Sequence, residues 1–418
     1  MEKKQTKVIV FDEVVERGCG LDVHKKVIVA TVGGTCLSQE TRSFQSTTRS
    51  LTELKEWLLS LGVTHVAMES TGVYWKPVYN ILEPGGFKIM VVNARHIKYV
   101  PGHKTDKKDS AWICKLLRAG LLKGSFIPGR EQRELRDLTR YRRKLVQQQA
   151  AEHNRMIRIF EDANLKLSSV FSDIRGKTCT AVIDAVIAGE TNPEKLAELC
   201  THKNLKATKE EIALAVEGKF TQHHMFMIRA IRTSISNIEA EIDNLEEEIE
   251  RRLQPIADRI EQLSEIPGMS TNSLRELLAE IGVDMEVFPT AEHLTSWAGL
   301  APGNNESAGK KKSSHTNHGN KATKAIMTEC AWCATRTKGT YFSARYNRLA
   351  ARRGKKRALV AIAAELLKVI YHMLKDGTAY QELGEDYMSN KRKDAQIKYH
   401  REQLNKLLGE DSPETKSA

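Results

Sequence analysis

The sequence predicts an α/β domain followed by a long, mainly helical remainder, and three observations carry that prediction. Over residues 18–128, short apolar runs of strand length alternate with segments of helical period. Over 129–262, two long amphipathic stretches bracket a middle punctuated by Gly176, Gly189 and Asn192-Pro193. Over 263–375, helix-period segments flank a Gly/Pro/Asn turn cluster, and 376–418 is a polar tail. These four stretches are the expected domains, and 418 residues suffice for two or three separate cores.

In the first domain, Cys19 to Val32 reads as a strand, a tight turn at His24-Lys25-Lys26 and a returning strand. Asp22 stands inside the otherwise apolar first strand, where a carboxylate is costly unless paired or bound to metal. Thr48 to Leu61 is helical. Val63 to Met68 is a buried-type strand with Glu69 at its end, and Tyr74 to Leu82 is a helix stopped by Pro84-Gly85-Gly86. Phe87 to Val92 is a further strand. Thr105 is expected to cap a helix whose first turn carries Asp106 and Asp109 on one face. This is the element order of an RNase-H-like α/β fold, which would bring Asp22, Glu69, Asp106 and Asp109 to one end of the sheet. Four hard oxygen ligands suit Mg²⁺, two ions about 3.5–4 Å apart clamping a phosphodiester. Singly, each acid has a plainer use, at a helix N-terminus or in a loop.

Arg130 to Phe160 reads as one long helix. Such charge runs are commonly solvated faces, but the arginine density makes Arg136, Arg140 and Arg143 candidates for nucleic-acid backbone contacts. From Ile228, an apolar seam through Ile231, Ile235, Ile238, Ile242, Leu245 and Ile249 predicts a coiled coil, and isoleucine at both seam positions favours more than two helices. The seam would pair with the preceding long helix, with another chain, or with both. Residues 168–218 show no readable chemistry, and His223-His224 reads as surface or packing. Leu263 to Gly282 reads as helix, Pro-Gly turn, helix. It is similar to a helix-hairpin-helix, whose turn amides touch phosphates without reading bases.

The following stretch, Gly299 to Met327, puts Ser307 on an Ala-Gly step beside Lys310, Lys311 and Lys312, with a helix-compatible run from Ala322. Cations beside a hydroxyl, with a helix behind, can hold it against a phosphate. Alone, the stretch reads as a basic surface loop, because no general base adjoins the serine. His315, His318, Cys330 and Cys333 are zinc-ligand types, but the cysteines fall in a helical pattern and read as small core residues. Tyr341 to Leu374 is helical with a basic patch at Arg352, Arg353, Lys355, Lys356 and Arg357, and the tail from Asp376 is expected to be partly disordered.

Lys plus Arg is 65 against 53 acids, a net +12 with pI near 9.2, which points to a polyanionic partner, nucleic acid ahead of an anionic membrane. No apolar run approaches the roughly 20 residues of a bilayer span, so no membrane partner is expected, and the charged amino terminus does not read as a signal peptide. Seven dispersed cysteines without framework spacing fit a reducing cytosol.

Together, GLDVHK, MESTGVYW, KTDKKD and GLLKGSFIP upstream, with IPGMS, GLAPGNNESAGKKKS and GNK downstream, resemble the IS-one-ten family of insertion-sequence transposases, from about Gly20 to Leu374. The resemblance implies a bridge-RNA-guided recombinase with an amino-terminal DEDD domain of the RuvC type and a carboxy-terminal transposase domain. It implies that Asp22, Glu69, Asp106 and Asp109 bind Mg²⁺ and that Ser307 attacks DNA. It further implies one active site composed by domains of different subunits, with the coiled coil building a dimer or tetramer. The guide would be a structured RNA from the element, pairing with donor and target DNA in a bacterial or archaeal cytoplasm, at the nucleoid. Where the family carries arginines or lysines between Ser313 and Gly319, this chain has Ser314, His315, Thr316, Asn317 and His318, which leaves Lys321 and Lys324 as phosphate candidates. The chain lacks a Walker-type G-x-x-x-x-G-K-[ST], consistent with exchange through a phosphoserine that needs no ATP. Two rival readings are a metal-only junction nuclease and a non-enzymatic nucleic-acid scaffold; the intact four acids argue against the second.

Overall fold

The computed structural model describes residues 14–70, 72–93, 106–200, 207–303, 305–307, 310–313, 315–316 and 318–408. For 106–108, 305–307, 310–313 and several positions in 392–408 it describes the backbone alone. The expected helix cap Thr105 lies outside the described residues. The chain divides into two compact units, Met1–Arg130 and Glu131–Ala418.

The first unit is built on a mixed sheet of β1 (Arg17–Val23), β2 (Val27–Gly34), β3 (Leu37–Gln45), β4 (His65–Glu69) and β5 (Lys88–Val92), in the order β3-β2-β1-β4-β5. The first three strands form an antiparallel meander, while β4 and β5 run parallel to β1. Strand alternation divides the side chains between two layers. Cys19, Leu21, Val23, Ile28, Ala30, Val32, Val66 and Met68 enter a core with Leu51, Leu54 and Leu58 of helix α1 (Thr48–Ser60) and Val78 and Leu82 of α2 (Trp75–Leu82). Gly18, Gly20 and Asp22 therefore face the opposite layer, as do Ala67 and Glu69. There Ala67 packs on Ile113 and Leu117 of α3 (Asp106–Arg118). With both faces covered, β2 is a near-continuous apolar run (VIVATVGG). The sequence reading did not anticipate β3, which is mostly exposed and attached chiefly through Leu37 and Phe44.

The second unit begins with two antiparallel helices, α4 (Arg130–Asp162) and, after the short helices α5 (Leu167–Val170), α6 (Lys177–Ile187), α7 (Pro193–Glu198) and α8 (Lys209–Ala215), α9 (Gln222–Leu253). Their register is fixed by Glu134–Arg252 at 3.0 Å, Arg142–Glu246 and Gln149–Glu239 at 2.8 Å. The seam residues Ile228, Ile231 and Ile235 are buried with Met156 and Phe160, and α6, α7 and α8 close over that end. The in-chain helix thus covers much of the seam.

Helices α10 (Ala257–Ser264) and α11 (Thr271–Ile281) flank the Pro-Gly turn, as the sequence order of helix, turn and helix predicts, and are followed by α12 (Ala291–Trp297). Gly268 in that turn has φ 85°, and a Cβ there would lie 2.4 Å from the Ala334 amide of α13 (Lys321–Ala334), so the turn is pressed against a helix. Its Ile266 and Met269 amides donate to Leu263 and Ile266 carbonyls. A β-hairpin, β6 (Asn305–Ser307) and β7 (Lys310–Ser313), occupies what reads from sequence as a loop. The unit ends with α14 (Tyr341–Arg353), the largely buried α15 (Lys355–Asp376) and α16 (Tyr387–Leu408). Part of the tail expected to be partly disordered is this last helix: Tyr387 packs edge-on against Tyr341 at 5.8 Å, and Arg348 donates to Ser389 at 3.4 Å, while 409–418 lie outside the described residues.

Candidate active site

Asp22 and Glu69 come from adjacent parallel strands. The register pairs Leu21 with Met68, so the next residues, Asp22 and Glu69, stand side by side at the carboxyl ends of β1 and β4. Both face the layer of α3. That helix is locked down at three points. A Cβ on Gly20 would lie 2.2 Å from the Ser110 carbonyl oxygen and 2.3 Å from the Cys114 amide, so only glycine admits so close a crossing. The buried Ser110 hydroxyl is 2.7 Å from Thr31 Oγ1, and Cys114 Sγ lies 3.3 Å from the Gly18 carbonyl oxygen.

Gly18 is overlain by Leu117 and Arg118, and Gly20 by Ser110 and Cys114, so α3 runs opposite to β1. Its first turn, with Asp106 and Asp109, is therefore at the Asp22 end. From Gly20 to Asp22 is about 6.6 Å along the strand, and from Ser110 to Asp106 about 6 Å along the helix. The backbone thus carries all four acids to one end of one face. The Asp22 carboxylate itself meets His24 Nε2 at 3.0 Å. Among the described residues, no three His, Cys, Asp or Glu side chains form a group that could hold a metal ion; the Asp106 side chain is outside that description.

In the second unit, Ser307 is the last residue of β6, and its Cα pairs with that of Lys310. The ladder continues toward the base of the hairpin through the Pro302–Thr316 bridge and the Gly303 amide, which donates to the His315 carbonyl at 2.8 Å. At the base, a Cβ on Gly319 would lie 2.2 Å from the Gly299 amide, so the two legs of the segment touch backbone to backbone. Asn320 then donates its amide to the Trp297 carbonyl at 2.9 Å and caps α13, accepting from Ala322 and Thr323. Its Nδ2 reaches Glu280 Oε2 at 2.7 Å.

Glu280 is the hub of this base. Only 1% exposed, it accepts from Arg140 through both oxygens, at 2.6 and 2.9 Å, and lies 3.5 Å from Arg136 Nε. Arg136 also donates to the Ala279 carbonyl at 3.2 Å and to the Glu280 carbonyl, and lies 5.8 Å over the Trp297 ring. The hydrogen bond to Glu280 raises the pKa of Arg140, whereas burial pushes Arg136 down to about 10, still a cation at neutral pH. Arg143 is held by Glu276 at 2.8 Å and by Glu329. The three arginines read from sequence as phosphate contacts therefore have carboxylate partners inside their own unit. Sequence reading missed Glu280 and Asn320; GNK directly before a helix was the available signal for the cap.

Of the remaining candidates, Lys321 is exposed at the start of α13, and Lys324 Nζ donates to Thr316 Oγ1 at 2.7 Å. The side chains of Ser307 and Lys310 to Lys312 lie outside the description. His315 and His318 are exposed, Cys333 is exposed, and Cys330 is buried, its thiol pushed up to about 11 by desolvation.

A mixed sheet with acids at the ends of two central strands, followed by a mostly helical chain, fits an RNase-H-like domain of the DEDD transposase type. The comparisons agree. The IS110 DEDD transposase family matches residues 19–164, and the transposase family IS116/IS110/IS902 matches 260–347. The chain belongs to the IS110 family of transposases. It is 36% identical over 125 residues to the insertion element IS110 uncharacterized 43.6 kDa protein of Streptomyces coelicolor, a match covering 28% of this chain and 29% of that relative. No described helix is long and apolar enough to cross a membrane.

Proposed function

We propose that this protein is the DNA transposase of an insertion sequence, cutting and rejoining donor and target DNA under the direction of an RNA encoded by the element. The observation that carries the reading is the shared end of β1, β4 and α3, to which the backbone brings Asp22, Glu69, Asp106 and Asp109. Carboxylates of that number fit a hard divalent cation in kind, and Mg²⁺ is the ion they favour. Bound there, such ions would supply positive charge to the phosphodiester and to the ionising hydroxyl.

Ser307 is the proposed nucleophile. Its Oγ gives up its proton to solvent and bonds to phosphorus, and the bond to one DNA oxygen breaks, that oxygen leaving as a hydroxyl. A hydroxyl of the partner strand then attacks the phosphoserine, reforms a phosphodiester and returns Ser307. Each exchange conserves one phosphoester bond, so no nucleotide triphosphate is consumed. Lys310, Lys311, Lys312 and Lys321 would hold the flanking phosphates, and the Glu280 network would keep the hairpin base fixed while strands change partners. Activity in a dimer or tetramer is part of the proposal.

Strand exchange between donor and target duplexes, assayed with the element's RNA, tests the reading. Asp22→Asn and Asp109→Asn should reduce exchange by about 10³-fold or more while nucleic-acid binding survives. Exchange that persists in excess EDTA would contradict the metal assignment.

A further inference from the structure

The positive charge of the chain is concentrated in one segment. Residues 307–364 hold fourteen lysines and arginines and a single acid, Glu329. That segment's net +13 exceeds the +12 of the whole chain, so the other 360 residues are almost neutral at −1. Even the one acid is engaged elsewhere, by Arg143 of α4.

Within the segment the cations gather at one corner. Helix α14 ends in Arg352-Arg353, Gly354 turns the chain with φ 82°, and α15 opens with Lys355-Lys356-Arg357. A left-handed residue is what lets one helix follow another so abruptly, and glycine adopts it without strain. All five cations are exposed, and none has an ion-pair or hydrogen-bond partner among the described residues. Arg142, Arg143, Arg252 and Arg345 of the same unit, by contrast, each meet a carboxylate. Five like charges in six residues set up a strongly positive local potential, which a polyanion neutralises with release of the counterions that otherwise screen it. From Leu349 to Ala358 there is no aromatic side chain to stack on an unpaired base, and no bulky apolar residue exposed to enter a bilayer.

We infer that the α14–α15 corner docks on the phosphate backbone of duplex DNA without reading its bases. The inference rests on the recombinase reading, but the corner lies beyond residue 347, where the family match ends.

The test is fluorescence anisotropy of the full-length chain on a short labelled DNA duplex of arbitrary sequence, across a salt series. The variant Arg353→Gln/Lys356→Gln/Arg357→Gln should flatten the log–log salt slope by about 2.7, at about 0.9 for each lost phosphate contact. The charge-preserving pair Arg353→Lys/Arg357→Lys should keep the wild-type slope, and scrambling the duplex sequence should leave it unchanged in every protein. A steep wild-type slope that the glutamine variant reproduces overturns the inference and leaves the recombinase reading standing. Failure of the wild type to bind DNA at any salt overturns both. A loss of binding seen with acidic lipid vesicles or single strands, and not with the duplex, also overturns the inference.

Discussion

Glu280 looks like any acid of an amphipathic helix in the sequence LLAEIG, yet its carboxylate is almost wholly buried between two guanidinium groups and the Asn320 amide. Removing one partner of such a group leaves the others desolvated and unpaired. Glu280→Gln should therefore cost about 3–5 kcal/mol of stability, read from urea unfolding. A loss below about 1 kcal/mol would mean that the network does not secure the hairpin base. Cysteine chemistry offers a second check at this scale. Cys36 and Cys333 are exposed, while burial holds Cys330 protonated up to about 11 and Cys179 up to about 12. A thiol reagent near pH 8 should label Cys36 and Cys333 first. Fast labelling of Cys330 would contradict its place in the core. Residue types were legible in the sequence here, but partners were not: the carboxylates that meet Arg136, Arg140 and Arg143 lie over 130 residues away, and charge density alone does not reveal them.

At the scale of elements, periodicity worked where one face is buried and failed where burial is slight. The apolar strands and both long helices were readable from their spacing. β3 was not, because LSQETRSFQ anchors itself mainly by Leu37 and Phe44. The hairpin carrying Ser307 was not either, since KKKS has no apolar alternation. The docking of α3 depends on a single absent side chain, so Gly20→Ala should displace the helix. We expect a stability loss of about 1–3 kcal/mol or more from overpacking, with loss of metal-dependent exchange. Unaltered activity and melting in that variant would show that α3 is not seated as described. Likewise Ile235→Asp/Ile242→Asp should lower the melting temperature at every protein concentration, because the seam is buried within one chain. A change in oligomer mass with an unchanged melting temperature would place the seam between chains instead.

The molecule as a whole consists of a sheet-based unit bearing four acids and a helical unit bearing the serine hairpin, and the IS110 family matches cover 19–164, which runs from the first unit into the second, and 260–347 within the second. Motif blocks made that family legible in the sequence, and three of them lie where the backbone turns or an element begins or ends: GLDVHK at the end of β1, IPGMS between α10 and α11, and GNK at the start of α13. The uneven charge of the second unit was hidden in the chain-wide total, because one segment supplies the entire surplus. The central claim at this scale is the covalent step proposed for Ser307. A DNA substrate that can be cut but cannot be religated should leave one strand joined to the protein, visible as a shifted labelled band under denaturing conditions. Peptide mass spectrometry should place the phosphate on Ser307, and Ser307→Ala should bind DNA while forming no adduct. Cleavage to free ends without an adduct, or an adduct on Ser313 or Ser314, would contradict the account.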